Sequence, residues 1–173
     1  MQRRAVLVGI FILGVRPAFA LYDPKPDELL WAVQGEWRGS LRYRDYSEPK
    51  RMVTLPTRLF VALSAPSELV LSYVFDDGPS KTVFSYEKMS FNFAAHQVSW
   101  STGQEAKVSV CGITSDTANN NVRTLVFERN EASEIKRFTM VLSARSFTFA
   151  EDEVSSSGAV SFRNRYEFLR SGT

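Results

Sequence analysis

The chain is poor in the residues that build most recognisable sites. It has one Cys and one His in 173 residues. One Cys excludes an internal disulfide framework and any Cys-rich zinc site. One His excludes the usual multi-histidine metal centres. Gly103 and Gly112 belong to no phosphate-cradling loop and to no dinucleotide fingerprint. No apolar run reaches the roughly 20 residues that a membrane-spanning helix needs. Charge is scarce too: 21 Lys+Arg against 19 Asp+Glu give +2, far short of the basic excess of a nucleic-acid binder. No internal repeat, low-complexity segment or interdomain linker breaks the chain, and its length fits one domain.

What is present begins with an address. Residues 1–20 read MQRRAVLVGIFILGVRPAFA. Arg3 and Arg4 form a basic start, residues 5–15 an apolar run, and Ala18-Phe19-Ala20 a small-x-small cleavage pattern. That is the layout of a secretory signal peptide, with cleavage expected after Ala20. No Ser or Thr precedes the arginine pair, so ordinary secretion is favoured over the twin-arginine route. No Cys follows the run, so a lipid anchor is not expected. The protein is thus expected in the periplasm or secreted, as one domain over residues 21–173. The leader carries Arg3, Arg4 and Arg16 and no acid, so its removal leaves 18 basic against 19 acidic side chains, a charge of −1.

Residues 27–34 suggest a short helix, with Asp27 as N-cap, Gly35 as stop, and Leu29, Leu30 and Val33 on one face. From Gly35 the period changes to two. Trp37, Gly39, Leu41 and Tyr43 alternate with Arg38, Ser40, Arg42 and Arg44. Further strand-like runs lie near 51–64, 68–76, 80–91, 95–102, 105–114, 122–130, 135–144, 145–151 and 159–170. Turn residues separate them, among them Asp76-Asp77-Gly78-Pro79 and the run around Asn119-Asn120-Asn121. Long strands joined by short turns, with no helix for a βαβ unit, indicate an all-β antiparallel up-and-down barrel of about 8–10 strands. The short N-terminal helix would close one end.

Gly35-Glu36-Trp37-Arg38-Gly39 opens the first strand as G-x-W-x-G directly after that helix. This resembles the N-terminal signature of the calycin superfamily, which includes lipocalins, fatty-acid-binding proteins, avidins and nitrobindin-like proteins. The stretch from Gly35 to Tyr46 is also similar to small exported bacterial proteins of unknown function. The resemblance implies that Trp37 lies at the closed base of a barrel against a basic side chain of the last strand. There Phe162, Asn164, Tyr166, Phe168 and Arg170 share one phase, and Arg170 is the expected partner. The lipocalin T-D-Y motif is absent, and so is the haem histidine of nitrobindin-like proteins.

Strand phase then nominates a lumen. With Trp37 and Tyr43 inward, Tyr73, Tyr86, Tyr166 and Phe84 are expected to line it, alongside Leu41, Leu71 and Phe168. Small barrels are either filled by side chains or enclose one small ligand. Two readings stay open. In one the protein is an exported lipocalin-like binder of a small apolar or amphipathic molecule. In the other it is a filled barrel that acts on an anionic envelope surface or a protein partner through an outer basic face. That face is expected to hold Arg38, Arg42, Arg44, Arg163 and Arg165, with Glu36 and Glu167 beside them.

No catalytic set, metal site, cofactor or nucleic-acid module emerges. His96 has no recognisable nucleophile or carboxylate pattern around it. Asp76-Asp77-Gly78 reads as a hairpin turn, Glu151-Asp152-Glu153 as a solvated loop, and Cys111 as a small buried hydrophobe.

Overall fold

The computed structural model describes residues 28–45, 47–48, 51–103 and 108–172. The expected leader, the expected cap Asp27 and the side chain of Leu29 lie outside the described residues. A helix α1 (Glu28–Ala32) precedes ten strands: β1 (Gly35–Arg44), β2 (Met52–Ala65), β3 (Glu68–Asp76), β4 (Thr82–Asn92), β5 (Gln97–Thr102), β6 (Val108–Asn119), β7 (Val122–Asn130), β8 (Glu134–Leu142), β9 (Ser146–Ser155) and β10 (Val160–Arg170). Each strand pairs antiparallel with the next, and β10 closes on β1. The result is a closed up-and-down barrel, so no strand keeps an unpaired edge. Among the described residues no helix is long and apolar enough to cross a membrane.

Alternation makes the strands. In β3, Leu69, Leu71, Tyr73 and Phe75 are buried, while Val70, Ser72 and Val74 between them are partly exposed. The same period runs through β8, where Phe138, Met140 and Leu142 are buried. The turns follow their residue types. Asn120 and Asn121 both adopt positive φ, 49° and 61°, in the two-residue turn between β6 and β7. Around Gly78, the Asp77 N–H donates to the Lys81 carbonyl at 3.0 Å, and the side chains of Lys81 and Asp77 pair, so this acidic pair closes a hairpin.

The two glycines of the β1 motif have separate causes. Gly35 turns the chain from helix to strand at φ 127°, a conformation that side chains rarely adopt. Gly39 permits close approach of β1 and β10, for a Cβ there would lie 1.8 Å from the Glu167 carbonyl oxygen.

Register corrects several expected orientations. Directly opposed residues share a face. Ser85 opposes Tyr73 and Glu87 opposes Leu71, both of which point inward. The odd positions of β4 therefore enter the lumen, and its even positions leave it. Phe84 and Tyr86, expected inside, are 74% and 43% exposed. Period two alone cannot choose the phase, and a carboxylate holds the interior place that an aromatic residue was expected to take. A bulge at Phe162/Asn164 shifts the phase of β10. It turns Phe162 outward, between the guanidinium groups of Arg42 and Arg165. The same bulge removes Arg163 from the outer face: its side chain is 16% exposed and pairs with Glu153 at 3.7 Å. Residues 151–153 form part of β9 and are no loop.

Candidate ligand site at the open end of the barrel

The barrel has two unlike ends. At the base, α1 and the first residues of β1 meet the end of β10. Arg170 lies opposite Trp37 in the ladder, and its guanidinium sits 4.5 Å from the ring centroid. It also donates through Nε to the Ala144 carbonyl at 2.6 Å, through Nη1 to the Gln34 carbonyl at 2.8 Å, and through Nη2 to the Ala32 carbonyl. The last two acceptors are the carbonyls left over where α1 ends. Trp37 Nε1 donates to the Val33 carbonyl at 2.9 Å. A second arginine closes the opposite side of the base. Arg123 makes a two-pronged pair with Asp116, at 2.9 and 2.7 Å, and stacks 4.2 Å over Phe93. Arg123 is buried and its bonds to the Asp116 carboxylate are charge-assisted, whereas Arg170 is half-buried and directs its guanidinium to backbone carbonyls and the Trp37 ring.

Above the base an aromatic layer fills the barrel. Tyr73 and Tyr166 meet across the lumen with centroids 5.0 Å apart. Phe149 lies 6.3 Å from Tyr166, and Trp100 packs edge-on against Phe138 and Phe149 at 4.9 and 5.5 Å. The lower and middle lumen is thus solid.

Polar inward side chains begin at that layer. Glu87 on β4 is 8% exposed. Burial pushes its carboxyl up to about 7, and the negative charge of Glu151 adds to the rise. The Trp100 N–H and the Tyr73 hydroxyl oppose the shift, close enough to favour the charged form yet outside hydrogen-bond geometry. Burial, then the charge of Glu87, holds the Tyr73 hydroxyl well above its ordinary range. On the other wall Glu151 accepts from Asn164 Nδ2 at 2.9 Å and pairs with Lys136 Nζ at 3.3 Å. Four buried polar atoms converge here without a hydrogen-bond partner: Tyr73 Oη, Glu87 Oε2, Trp100 Nε1 and Asn164 Oδ1. Buried polar atoms are seldom left unpaired, because each costs about 1–3 kcal/mol.

A cavity of about 280 Å³ opens over this layer. Its walls include Leu41, Tyr43, Leu55, Phe75, Asn164 and Tyr166. Of the five residues expected in a lumen, Tyr43 and Tyr166 line this cavity, and Tyr73 forms its floor through contacts with Phe75 and Tyr166. Phe84 and Tyr86 lie on the outer face of β4. Glu87, Trp100 and Lys136 were not expected at the site, Glu151 was expected in a solvated loop, and Asn164 was expected only to share the inward phase of the last strand. The signal for Glu151 was legible, since it continues the period of Phe147 and Phe149. Glu87 sits in the same period as Met89 and Phe91.

The remaining candidates fall elsewhere. Arg38 and Arg42 are exposed and Arg44 is half-buried on the outer face of β1, and Arg165 is exposed beside them on β10. His96 lies exposed in the β4–β5 turn at φ 51°, away from the enclosed site. Cys111 is buried, and burial pushes its thiol up.

No family model matches the chain, and no curated protein matches it. Solved structures do. Rv2717c from M. tuberculosis superposes with a TM-score of 0.58 at 10% identity, over 83% of this chain and 95% of its own. The S-type phycobiliprotein lyase CPES from Guillardia theta superposes with a TM-score of 0.58 at 9% identity, over 84% of this chain and 92% of its own. At such identities the likeness concerns the fold, which is of the calycin type: a closed ten-stranded antiparallel barrel.

Proposed function

We propose that this protein is an exported binding barrel that holds one small amphipathic molecule at its open end. The observation that carries the reading is the set of four unpartnered buried polar atoms beneath a half-apolar cavity. A merely structural interior gains nothing from such atoms, whereas a ligand with its own donors and acceptors gains orientation from them. The cavity is just under the range of drug-sized sites, roughly 300–1,000 Å³. The ligand is therefore small, or leaves part of its body outside the mouth. Its apolar part would rest on Leu41, Leu55 and Phe75, and its polar part would meet Asn164, Tyr43, Tyr166 and Asp77 on the wall, with Tyr73 and Glu87 in the layer behind them. Export rests on the leader pattern of residues 1–20.

N-phenyl-naphthylamine, a neutral amphiphile with one N–H donor, is a suitable probe. Its fluorescence should rise on a single saturable site. Leu55→Trp fills the cavity and should weaken binding at least tenfold. Asn164→Leu removes a buried acceptor without filling space and should weaken it severalfold. Far-UV circular dichroism reports whether each variant keeps the barrel. Non-saturable binding, or unchanged affinity in both folded variants, would overturn the reading.

A further inference from the structure

The outer face of β10, β1 and β2 carries arginines that the fold compensates only in part: Glu36 pairs with Arg38, Glu167 shares a notch with Arg42, Arg44 and Arg165, and Asp76 shares a groove with Arg38 and Arg58. Register places Arg42 directly opposite Arg165 on β10 and Arg38 directly opposite Arg58 on β2. Like charges directly opposed across two strands destabilise a sheet. Their usual remedy is a neighbouring carboxylate. Arg38 has one, Glu36 at 3.4 Å. Arg42, Arg44, Arg58 and Arg165 have no carboxylate within 4 Å among the described residues, although Glu167 lines the same notch as three of them.

The same face is also apolar in an unusual way. The β10 bulge turns Phe162 out, with Arg42 at 5.8 Å and Arg165 at 6.0 Å from its ring centre. Met52 stands beside them in a notch of about 370 Å³. Nearer the base, Leu169 opposes Arg38 and is 68% exposed, and Phe60 on β2 is 40% exposed. Cations flanking exposed apolar side chains on one face suit a surface that is anionic outside and apolar beneath.

We propose that this face docks on an anionic lipid bilayer. Lipid phosphates would bridge the opposed arginines, above all Arg42 and Arg165, and so remove their repulsion. Phe162 and Met52 would enter the headgroup layer. The barrel axis would then lie along the membrane and leave the open end accessible from the side. None of the interior residues belongs to this face.

Co-sedimentation with phosphatidylglycerol-rich vesicles and with pure phosphatidylcholine vesicles tests it. The protein should pellet with the former, and added salt should release it. Each arginine near such a surface is worth roughly fivefold in partitioning. Arg42→Glu with Arg165→Glu should therefore lower partitioning by roughly a hundredfold or more. Phe162→Ala should lower it severalfold with no change in salt dependence. Lys81→Glu with Arg145→Glu makes the same change in net charge elsewhere and should matter far less. An equal loss in that control would reduce the effect to bulk charge and overturn the proposal. So would equal binding to both vesicle types, or saturable binding of inorganic phosphate with no vesicle association. N-phenyl-naphthylamine binding reports on the interior and should survive the Arg42/Arg165 reversal, which separates failure here from failure of the ligand reading.

Discussion

The base and the open end of this barrel differ in how far they pair their buried polar groups: the base leaves Ser171 Oγ without a partner, the open end four atoms. At the base, the Arg170 guanidinium covers Trp37 and donates to three backbone carbonyls, and the Trp37 N–H has its own acceptor. At the open end, four buried polar atoms have no partner, and one carboxyl is pushed up to about 7. A satisfied, filled site stabilises the fold. An unsatisfied one next to a cavity costs stability and leaves capacity for a ligand. The contrast separates the residues that hold the barrel from those that would use it.

The contrast breaks most visibly at Trp37. Trp37→Ala should cost about 3–5 kcal/mol, because it removes a large, fully buried side chain and strips Arg170 of its ring. Chemical denaturation measures this directly. A loss under about 1 kcal/mol would mean that the base is not the anchor.

Glu87→Gln sharpens the other side. The folded-state carboxyl is raised above its ordinary value of 4.5, so the folded protein holds its proton more tightly than the unfolded chain. Wild-type stability must then fall relative to the Gln variant as pH rises from about 4.5 to about 7. The pH-dependent part of the gap is largest above pH 7, up to about 3 kcal/mol, and fades near pH 4. Glu68 provides the opposite sign. The bonds from Lys88, Ser64 and Ser90 outweigh its partial burial and bring it down to about 2, so its contribution is lost as pH falls from 4.5 towards 2. A pH-independent difference between wild type and Glu87→Gln, followed by thermal melts, would show that Glu87 is solvated.

Tyr43→Ala should have the smallest effect on stability, under about 1 kcal/mol, because the side chain is half-buried at the mouth. Its effect should appear in ligand affinity instead. A stability loss matching that of Trp37→Ala would erase the distinction between the two ends.

Much of the barrel was legible in the chain. Period two, the turn residues and G-x-W-x-G lead to an antiparallel barrel of about 8–10 strands with a short helix at one end and Trp37 against Arg170; the structure has ten strands. Phase was not legible wherever a bulge or register decides it. Phe162 turns outward and Arg163 is drawn onto Glu153 because one extra residue enters β10. Phe84 and Tyr86 are outside because β4 is registered by Leu71 and Tyr73 on its neighbour. Hydrophobicity was the wrong guide there: the interior of β4 at this height is polar, and a buried Glu looks like a surface residue to any pattern based on polarity. The candidate site was half legible for that reason. Its tyrosines at 43, 73 and 166 were read from the strands, and its carboxylates and Trp100 appear only once opposite walls are brought together.

Three tryptophans sit at three distinct places, which gives the central claim a direct test. Trp31 is exposed on α1, the Trp37 N–H is bonded at the base, and the Trp100 N–H is buried without a partner beside Glu87. Indole N–H resonances of ¹⁵N-labelled protein can be followed while N-phenyl-naphthylamine is titrated to saturation. The Trp100 resonance should move and the Trp37 resonance should stay in place. A saturable ligand that shifts Trp37 and leaves Trp100 unmoved would contradict the assignment of the site to the open end.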